Sequence, residues 1–461
     1  MEDKAFIDYF LPLVSRTFAL NIRFLARDEY IVIGTAYLIC RVLDTIEDAK
    51  EEDNNAKKED TNKESHAEHT HTTTPPITVT PLEITANLPA TSKNNPAASK
   101  SNTLAADTSN DPASHNNTDD TDNVDNTNDA DDANDAGDAN DADDASLHSS
   151  THKLPTVITS LTAEEKSTLL TTFAQLLKKE AKSKAYATWL TSITPLEKSQ
   201  HKQPPLPIYQ LSPNPHENKL LRETPTLMQI YLNLPNPYRK ILKAPIITMA
   251  TGMSTFIERY KHNSFKVLSS QRELTKYCSI VAGTVGTILT DLFSLKITDA
   301  ARLKTLQNNA PHFAQALQLT NIVKDFPTDQ TRRWLYIPRE LLKKHNLTVT
   351  EFLTRKNPLQ CKNLQRTLLK QITTHLQHAL IYTRALPHIT SYRHRLFCWI
   401  PLIIAAATTK LLARQPIAPA TPYIHKINRS HTYLIVLSAP VFVLSNWLLS
   451  RTFARYVKKK S

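Results

Sequence analysis

Residues 51–150 constrain the fold more than any other stretch, because they cannot join it. The segment is rich in Asp, Asn, Thr, Ala and Pro, and Asp129 to Ala145 reads DADDANDAGDANDADDA. Such a composition cannot bury enough apolar surface to offset the entropy of ordering it. A calcium loop would need the EF-hand pattern with its terminal Glu, which is absent, so the repeat reads as a disordered acidic insertion. An insertion of this length sits at a loop, where added length costs little closure entropy. The 461 residues would allow two or three domains, but subtracting the insertion leaves one large domain and a tail. Residues 1–50 form its first part and 151–428 the remainder, with 195–225 as a proline-rich linker. Residues 429–461 differ in character from the rest.

The remaining sequence reads as helix. Only five glycines occur, Gly34, Gly137, Gly252, Gly283 and Gly286, among long segments rich in Leu, Ile, Ala, Lys and Gln. Ala5 to Leu13 is amphipathic, and Asp28 to Asp48 is a long apolar run. Thr162 with Glu165 three residues on matches a capping box. Helical patterns continue at about 224–234, 236–261, 270–295, 299–325, 338–356, 360–386 and 388–414. No stretch alternates with period two for long enough to make a sheet. The expectation is an all-α fold.

Charge is unevenly placed. Residues 51–150 carry 22 Asp/Glu against 5 Lys, a net −17, which leaves +28 on the rest of a chain whose total is +11. A body that basic expects an anionic partner. Zinc-finger spacing, aromatic RNP motifs and basic zippers are all missing, so nucleic acid is set aside in favour of lipid headgroups or phosphorylated small molecules. Cys40, Cys278, Cys361 and Cys398 form no CxxC pair and read as small buried hydrophobes in a reducing compartment. The acidic start, MEDKAFIDYF, has no signal-peptide pattern.

Chemistry enters with Tyr37 to Asp48, YLICRVLDTIED, which puts Asp44, Glu47 and Asp48 at the end of an apolar segment. On a helix these positions share a face, with Cβ atoms roughly 5–6 Å apart. Three carboxylates so close repel one another and lose hydration unless a cation joins them. Mg²⁺, which takes oxygen ligands and binds through carboxylates and substrate phosphates, suits the arrangement. A solvated acidic helix end is the plain alternative. A second acidic pair, Asp325 and Asp329 in NIVKDFPTD, has the same i, i+4 spacing and favours the cation site. Between the pairs lies YCSIVAGTVG, 277–286. Gly283 and Gly286 inside a helical pattern cost about 1 kcal/mol each against Ala, which implies close approach by a neighbouring helix or a ligand. A tyrosine beside such a patch can donate or accept a proton.

Near the end, Thr432 to Ser450 is nineteen residues without a charge, with Lys426 and Arg429 before it and Arg451, Arg455 and Lys458–Lys460 after. That approaches the ~20 residues needed to cross a hydrocarbon core, and predicts a C-terminal transmembrane helix. Basic residues on both sides leave its orientation open. The shorter run Trp399 to Leu412, interrupted by Lys410, reads as a core helix.

SRTF at 15–18, RVLDTIED at 41–48, YCSIVAGTVG at 277–286, LQLTNIVKDFPTD at 317–329 and FCWIPLIIAAAT at 397–408 occur in that order. Together they resemble the squalene/phytoene synthase family, over most of the chain outside 51–150, and the last block and terminal segment are more similar to its squalene synthase branch. The resemblance implies an isoprenoid synthase fold with a central apolar cavity flanked by two acidic helices. It implies Mg²⁺ held by Asp44, Glu47 and Asp48 on one wall and by Asp325 and Asp329 on the other. The implied reaction joins two farnesyl diphosphates head to head through presqualene diphosphate and reduces the product with NADPH to squalene. Carried over by position, Asp44 and Asp48 are catalytic, Tyr277 manages proton removal, and Phe397 faces the second cation. Arg16, Arg41 and Lys324 match diphosphate or NADPH phosphate contacts, and Lys426 in HKINR matches an NADPH-holding basic element. The implied setting is a monomer anchored to a lipid bilayer by the C-terminal helix, with its catalytic domain on the cytoplasmic side, at the endoplasmic reticulum in a eukaryote.

Some positions depart from the pattern. Pro327 removes a backbone donor, Thr328 stands where an acid is common, Arg332-Arg333 precedes Trp334 in place of Gly-Arg, and Asn428 replaces a basic residue. They keep two alternatives open: a dehydrosqualene/phytoene-type synthase without reduction, and a non-catalytic membrane-bound relative.

Overall fold

The computed structural model describes residues 3–52, 157–191, 208–414 and 427–457. These lie in one compact unit; a second, spanning 65–152, falls outside the described residues together with nearly all of the acidic insertion. Its edges are visible. Leu161 N donates to Lys50 O at 2.9 Å and Glu52 N to Leu161 O at 3.3 Å, so the chain re-enters the body beside the point where it leaves.

The opening helices are α1 (Asp3–Val14), α2 (Arg16–Arg23) and α3 (Arg27–Glu47). After the insertion come α4 (Ala163–Lys178), α5 (Ser183–Thr191), α6 (Pro215–Arg222), α7 (Thr224–Asn233) and α8 (Asn236–Tyr260). Next are α9 (Gln271–Cys278) and α10 (Thr284–Ser294), joined through a π-turn at Ser279–Gly283, then α11 (Ala300–Lys324) and α12 (Phe326–Thr331). Two short helices, α13 (Arg339–Lys344) and α14 (Val349–Thr354), precede α15 (Pro358–Ala385) and α16 (Tyr392–Leu412), and α17 (Arg429–Phe442) and α18 (Asn446–Val457) close the described chain. Thr162 makes the capping box expected of it, accepting from Glu165 N at 3.1 Å while Glu165 Oε2 accepts from Thr162 N at 2.7 Å.

Long apolar faces decide the packing. Helix α11 packs along α15, α4 along α8, and α3 against α1 and α8, with α16 across α15 and α11. Val32, Leu38, Ile39, Leu43 and Ile46 of α3 are buried, and so are most residues of α16. Gly286 faces α11: a Cβ there would lie 3.4 Å from Ala310 O and from Ala314 Cβ, a contact that a side chain could make without a clash. Gly283 has no such neighbour and ends the π-turn, a feature that often marks functional sites.

Four expectations need correction. Two two-residue parallel strand pairs are present, β1 (Val157–Ile158) with β2 (Ile208–Tyr209) and β3 (Lys266–Val267) with β4 (Trp334–Leu335). They tie loop ends together and leave the architecture all-α. The helix expected over 338–356 breaks in two around Asn346, whose φ is 52°. The end of the proline-rich linker is helical: Pro215 opens α6 where its missing N–H is harmless, behind an Asn214 cap.

The one unbroken helix expected over 432–450 is the fourth. The run is split, with α17 ending at Phe442 and α18 starting at Asn446. The two helices fold back on each other, so that His431 Nε2 meets Tyr456 Oη at 3.0 Å, and both pack on α16. Pro440 in the last turn of α17 removes a helical donor. Arg395 of α16 holds the turn open: its guanidinium donates to Val443 O at 2.8 Å and to Asn446 Oδ1 at 2.9 Å. Among the described residues, the stretches 271–294 and 392–412 are long and apolar enough to cross a membrane; the second is the expected core helix, 83% buried over its most apolar window.

Candidate active site

Asp44, Glu47 and Asp48 sit at the last turn of α3, where the helix end is fixed by a buried cation. Lys166 Nζ donates to Glu47 O at 3.1 Å and to Ala49 O, and it pairs with Glu51 at 3.5 Å. A positive charge suits the carbonyl end of a helix. Burial pulls the Lys166 ammonium down to about 8, opposed by Glu51.

The three carboxylates are crowded. Burial lifts Asp44 to about 7, with Arg41 opposing and Asp48 adding to the rise. Burial and then the charges of Asp48 and Asp44 lift Glu47 to about 8. Across from them, Asp325 and Asp329 lie at the junction of α11 and α12. Pro327 falls in the first turn of α12, where a missing N–H leaves no helical bond broken, so the proline ends one helix and begins the next. Burial and the Asp325 charge lift Asp329 to about 8, and the charge of Asp48 adds to that rise. The two walls therefore face each other. Arg332 stands between them: it bonds Asp48 Oδ1 at 2.5 Å, and Asp48 and Asp329 both act on its charge.

The donor set is all oxygen, which suits a hard divalent cation such as Mg²⁺. Among the described residues, no three acidic, imidazole or thiol groups have closed around a common point. Arg332 occupies Asp48 instead, so a cation would have to displace that guanidinium.

Beside Asp44 opens a cavity of about 210 Å³, with Phe18, Val281, Leu289, Phe313 and Phe397 among its apolar lining. Phe397 is buried on α16 and meets Phe293 edge-on at 5.9 Å. Tyr277 is buried at the acidic end. Its hydroxyl lies 3.4 Å from Glu47 Oε1 and 3.1 Å from the hydroxyl of Tyr336, and the two rings stack at 4.6 Å. Burial, then the Glu47 charge, holds the Tyr277 phenol well above the usual tyrosine range, so it is neutral.

The basic residues divide. Arg41 is engaged by Glu217, with Nη2 at 2.5 Å and Nε at 3.2 Å from Oε1, and lies 3.7 Å from Asp44. Lys324 Nζ is 3.2 Å from Asp325 and 3.1 Å from Asn321 Oδ1. Arg16 opens α2, but its side chain lies outside the described residues, as does Lys426 altogether. Asn428 caps α17, accepting from His431 N at 2.8 Å. Sequence reasoning missed Tyr336, Glu217 and Lys166. It left the register of the Arg332-Arg333 step open, and the structure gives Arg332 to Asp48. The other three have no motif spacing to betray them, since each reaches the site from a distant element.

A family model described as squalene/phytoene synthase matches residues 171–426. Curated relatives named squalene synthase include one from Cyberlindnera jadinii, 28% identical over 248 residues, 54% of each chain. Another, from Schizosaccharomyces pombe, is 28% identical over 207 residues, 44% of each chain. The human one is 27% identical over 202 residues, 42% of this chain and 44% of its own. The matches span about half the length of these relatives, or less. A solved structure, TcSQS in complex with the ligand BPH1237, superposes with a TM-score of 0.59 at 19% identity, covering 99% of this chain and 92% of that one. The helical fold is shared.

Proposed function

The chain belongs to the squalene/phytoene synthase family, and on that premise we propose that it is a farnesyl-diphosphate farnesyltransferase that makes squalene. Two farnesyl diphosphates would join head to head through presqualene diphosphate, with NADPH supplying the final hydride. The observation that carries this reading is an apolar cavity with Asp44 at its rim, together with Arg332, which bonds Asp48 and whose charge Asp329 also acts on.

Asp44, Glu47, Asp48, Asp325 and Asp329 would hold Mg²⁺, which when bound neutralises the diphosphate leaving group. Arg41, Lys324 and Arg332 lie beside these acids and add positive charge where that leaving group would collect. The apolar lining excludes water that would otherwise trap a carbocation. Closing the cyclopropane releases one proton. Tyr277 Oη can take it while passing its own proton to Oε1 of the ionised form of Glu47, 3.4 Å away. The Phe397 ring offers its face to positive charge deeper in the cavity. The reductive step rests on the family resemblance, because Lys426 lies outside the described residues and Asn428 is engaged as a cap.

The test is product analysis by mass spectrometry of purified protein given farnesyl diphosphate and Mg²⁺, with and without NADPH. Squalene appearing only with NADPH is expected. Dehydrosqualene or phytoene regardless of NADPH would move the chain to the non-reducing branch, and no Mg²⁺-dependent diphosphate release would leave a non-catalytic relative.

A further inference from the structure

His312 of α11 and His375 and His378 of α15 form a cluster that the proposed reaction leaves unused. All three are half-buried at the seam between the two helices. His375 and His378 are three residues apart and share one face of α15. His312 meets both. Its Nδ1 lies 2.9 Å from Nδ1 of His375, and its ring stacks on that of His378 with centroids 4.1 Å and planes 19° apart. The cluster stands away from the acidic site: at 1.5 Å per residue, the stretch of α11 from His312 to Lys324 is about 18 Å long.

Protons decide what such a cluster can bind. Asn309 Nδ2 donates to Thr305 O at 2.8 Å, which leaves its Oδ1 for His378 Nδ1, 2.8 Å away. A carbonyl oxygen only accepts, so His378 carries its proton on Nδ1 and keeps a free lone pair on Nε2. Histidines that bind metals are held in this way, by donating the other ring N–H to an oxygen. Between His312 and His375 one Nδ1 donates and the other accepts, so a metal ion replacing the shared proton would meet two ring nitrogens. Burial, together with the neighbouring rings, holds His312 below the usual histidine range and His375 at about 4. Both are neutral at pH 7, the form in which histidine ligates.

The donor set selects the ion. Neither helix contains an Asp or Glu, so imidazole nitrogen is what the seam offers. Nitrogen suits borderline ions such as Zn²⁺, Ni²⁺ and Cu²⁺, whereas Mg²⁺ takes oxygen. Metal–nitrogen bonds of about 2.0–2.1 Å set two ligands about 2.9 Å apart at right angles and about 3.3 Å apart at the tetrahedral angle. The observed 2.9 Å therefore fits a tetragonal ion, and Zn²⁺ would need about 0.4 Å more. Among the described residues no three such groups have closed around one point, so the third ligand comes by rotation of the His378 side chain off its stack on His312.

We propose that His312, His375 and His378 bind a borderline divalent transition-metal ion, which staples α11 to α15. Both helices also line the cavity, through Phe313 next to His312 and through Tyr382, so the staple would stiffen the cavity wall at a distance from the acidic site.

The experiment uses the tag-free full chain and reads metal binding, which does not depend on the proposed activity. Calorimetric titration with Ni²⁺ or Zn²⁺, in excess Mg²⁺ to occupy the acidic site, is expected to show a site that a His312→Gln/His375→Gln/His378→Gln variant loses. The loss should exceed about tenfold, the least that removing even a supporting partner costs a metal site. Of the 17 histidines in the chain, the other 14 remain in that variant and report scattered binding. Ni²⁺ is also expected to raise the Tm of the parent and not of the variant, because unfolding separates ligands that lie on two packed helices. With one equivalent of Cu²⁺, electron paramagnetic resonance of the parent is expected to show two or three imidazole nitrogens, a measurement that needs no variant to fold. Equal affinity in parent and variant, no binding of Ni²⁺ or Zn²⁺, binding without a rise in Tm, or a shell of carboxylate oxygen or thiolate sulfur would each overturn the proposal and leave the trio as a hydrogen-bonded packing contact.

Discussion

Asp44 carries opposing demands on stability and function. Its folded carboxyl titrates at about 7 and those of Glu47 and Asp329 at about 8, against about 4 in an unfolded chain. All three are raised, so the neutral forms are favoured by folding. Their stabilisation is full below about pH 4 and is lost as pH climbs through 7 to 8. A divalent cation favours the ionised forms and reverses that loss. In a thermal melt, the increase in Tm on adding Mg²⁺ should therefore be small near pH 5 and grow toward pH 8; a pH-independent shift would refute binding through these groups. Asp44→Asn removes a buried like charge, so the metal-free variant should melt higher than the parent at pH 8. Its kcat should fall by about 10² or more, as losses of transition-state charge stabilisation do. Tyr277→Phe should leave Tm nearly unchanged, because the ring stack on Tyr336 survives, yet abolish the cyclopropane intermediate in product analysis. The acidic positions were legible because i, i+3 and i+4 spacing survives in sequence. Glu217 was not: it approaches Arg41 from α6, and nothing in PHENKLLR announces that partner.

At the scale of elements, the sequence located helices well where periodicity ran unbroken, as in α8 and α11, and less well where a side chain from elsewhere cuts a run. The C-terminal segment is the instructive case. Nineteen uncharged residues imply one long helix, but Arg395, on a separate helix, bonds carbonyls at the ends of two others, Leu386 O at 2.8 Å and Val443 O at 2.8 Å. Burial draws its guanidinium down to about 10, still charged at neutral pH. Arg395→Met should leave those acceptors without a donor and cost roughly 3 kcal/mol, the range for buried groups stripped of a charged partner. Limited proteolysis should then cut first near Leu444–Asn446. A variant as stable and as protease-resistant as the parent would show that the turn holds without the arginine. The π-turn at Ser279–Gly283 was equally hidden, since Gly283 and Gly286 signal close approach without saying that the helix widens between them.

For the whole molecule, the question is what the fold requires of residues 53–156. Composition removed them from the core, and the architecture agrees in one particular: Lys50, Glu52 and Leu161 are joined by backbone hydrogen bonds, so the two ends of the segment are already neighbours. Buried lysines strengthen that junction, Lys166 at 3.5 Å from Glu51 and Lys266 paired with the same carboxylate. Because loop closure costs only about 0.6 kcal/mol per doubling of length, replacing 53–156 by a short Gly/Ser linker should change Tm by no more than a few degrees. It should not reduce diphosphate release from farnesyl diphosphate. It should also strengthen salt-sensitive binding to anionic vesicles, since the removed residues carry 20 Asp/Glu against 6 Lys and would no longer oppose the basic body. A large fall in Tm would mean that the segment packs on the domain, contrary to its composition. Unchanged vesicle binding would mean that its charge stays too far from the basic surface to be felt through the counterion screen, which is about 8 Å deep at physiological salt.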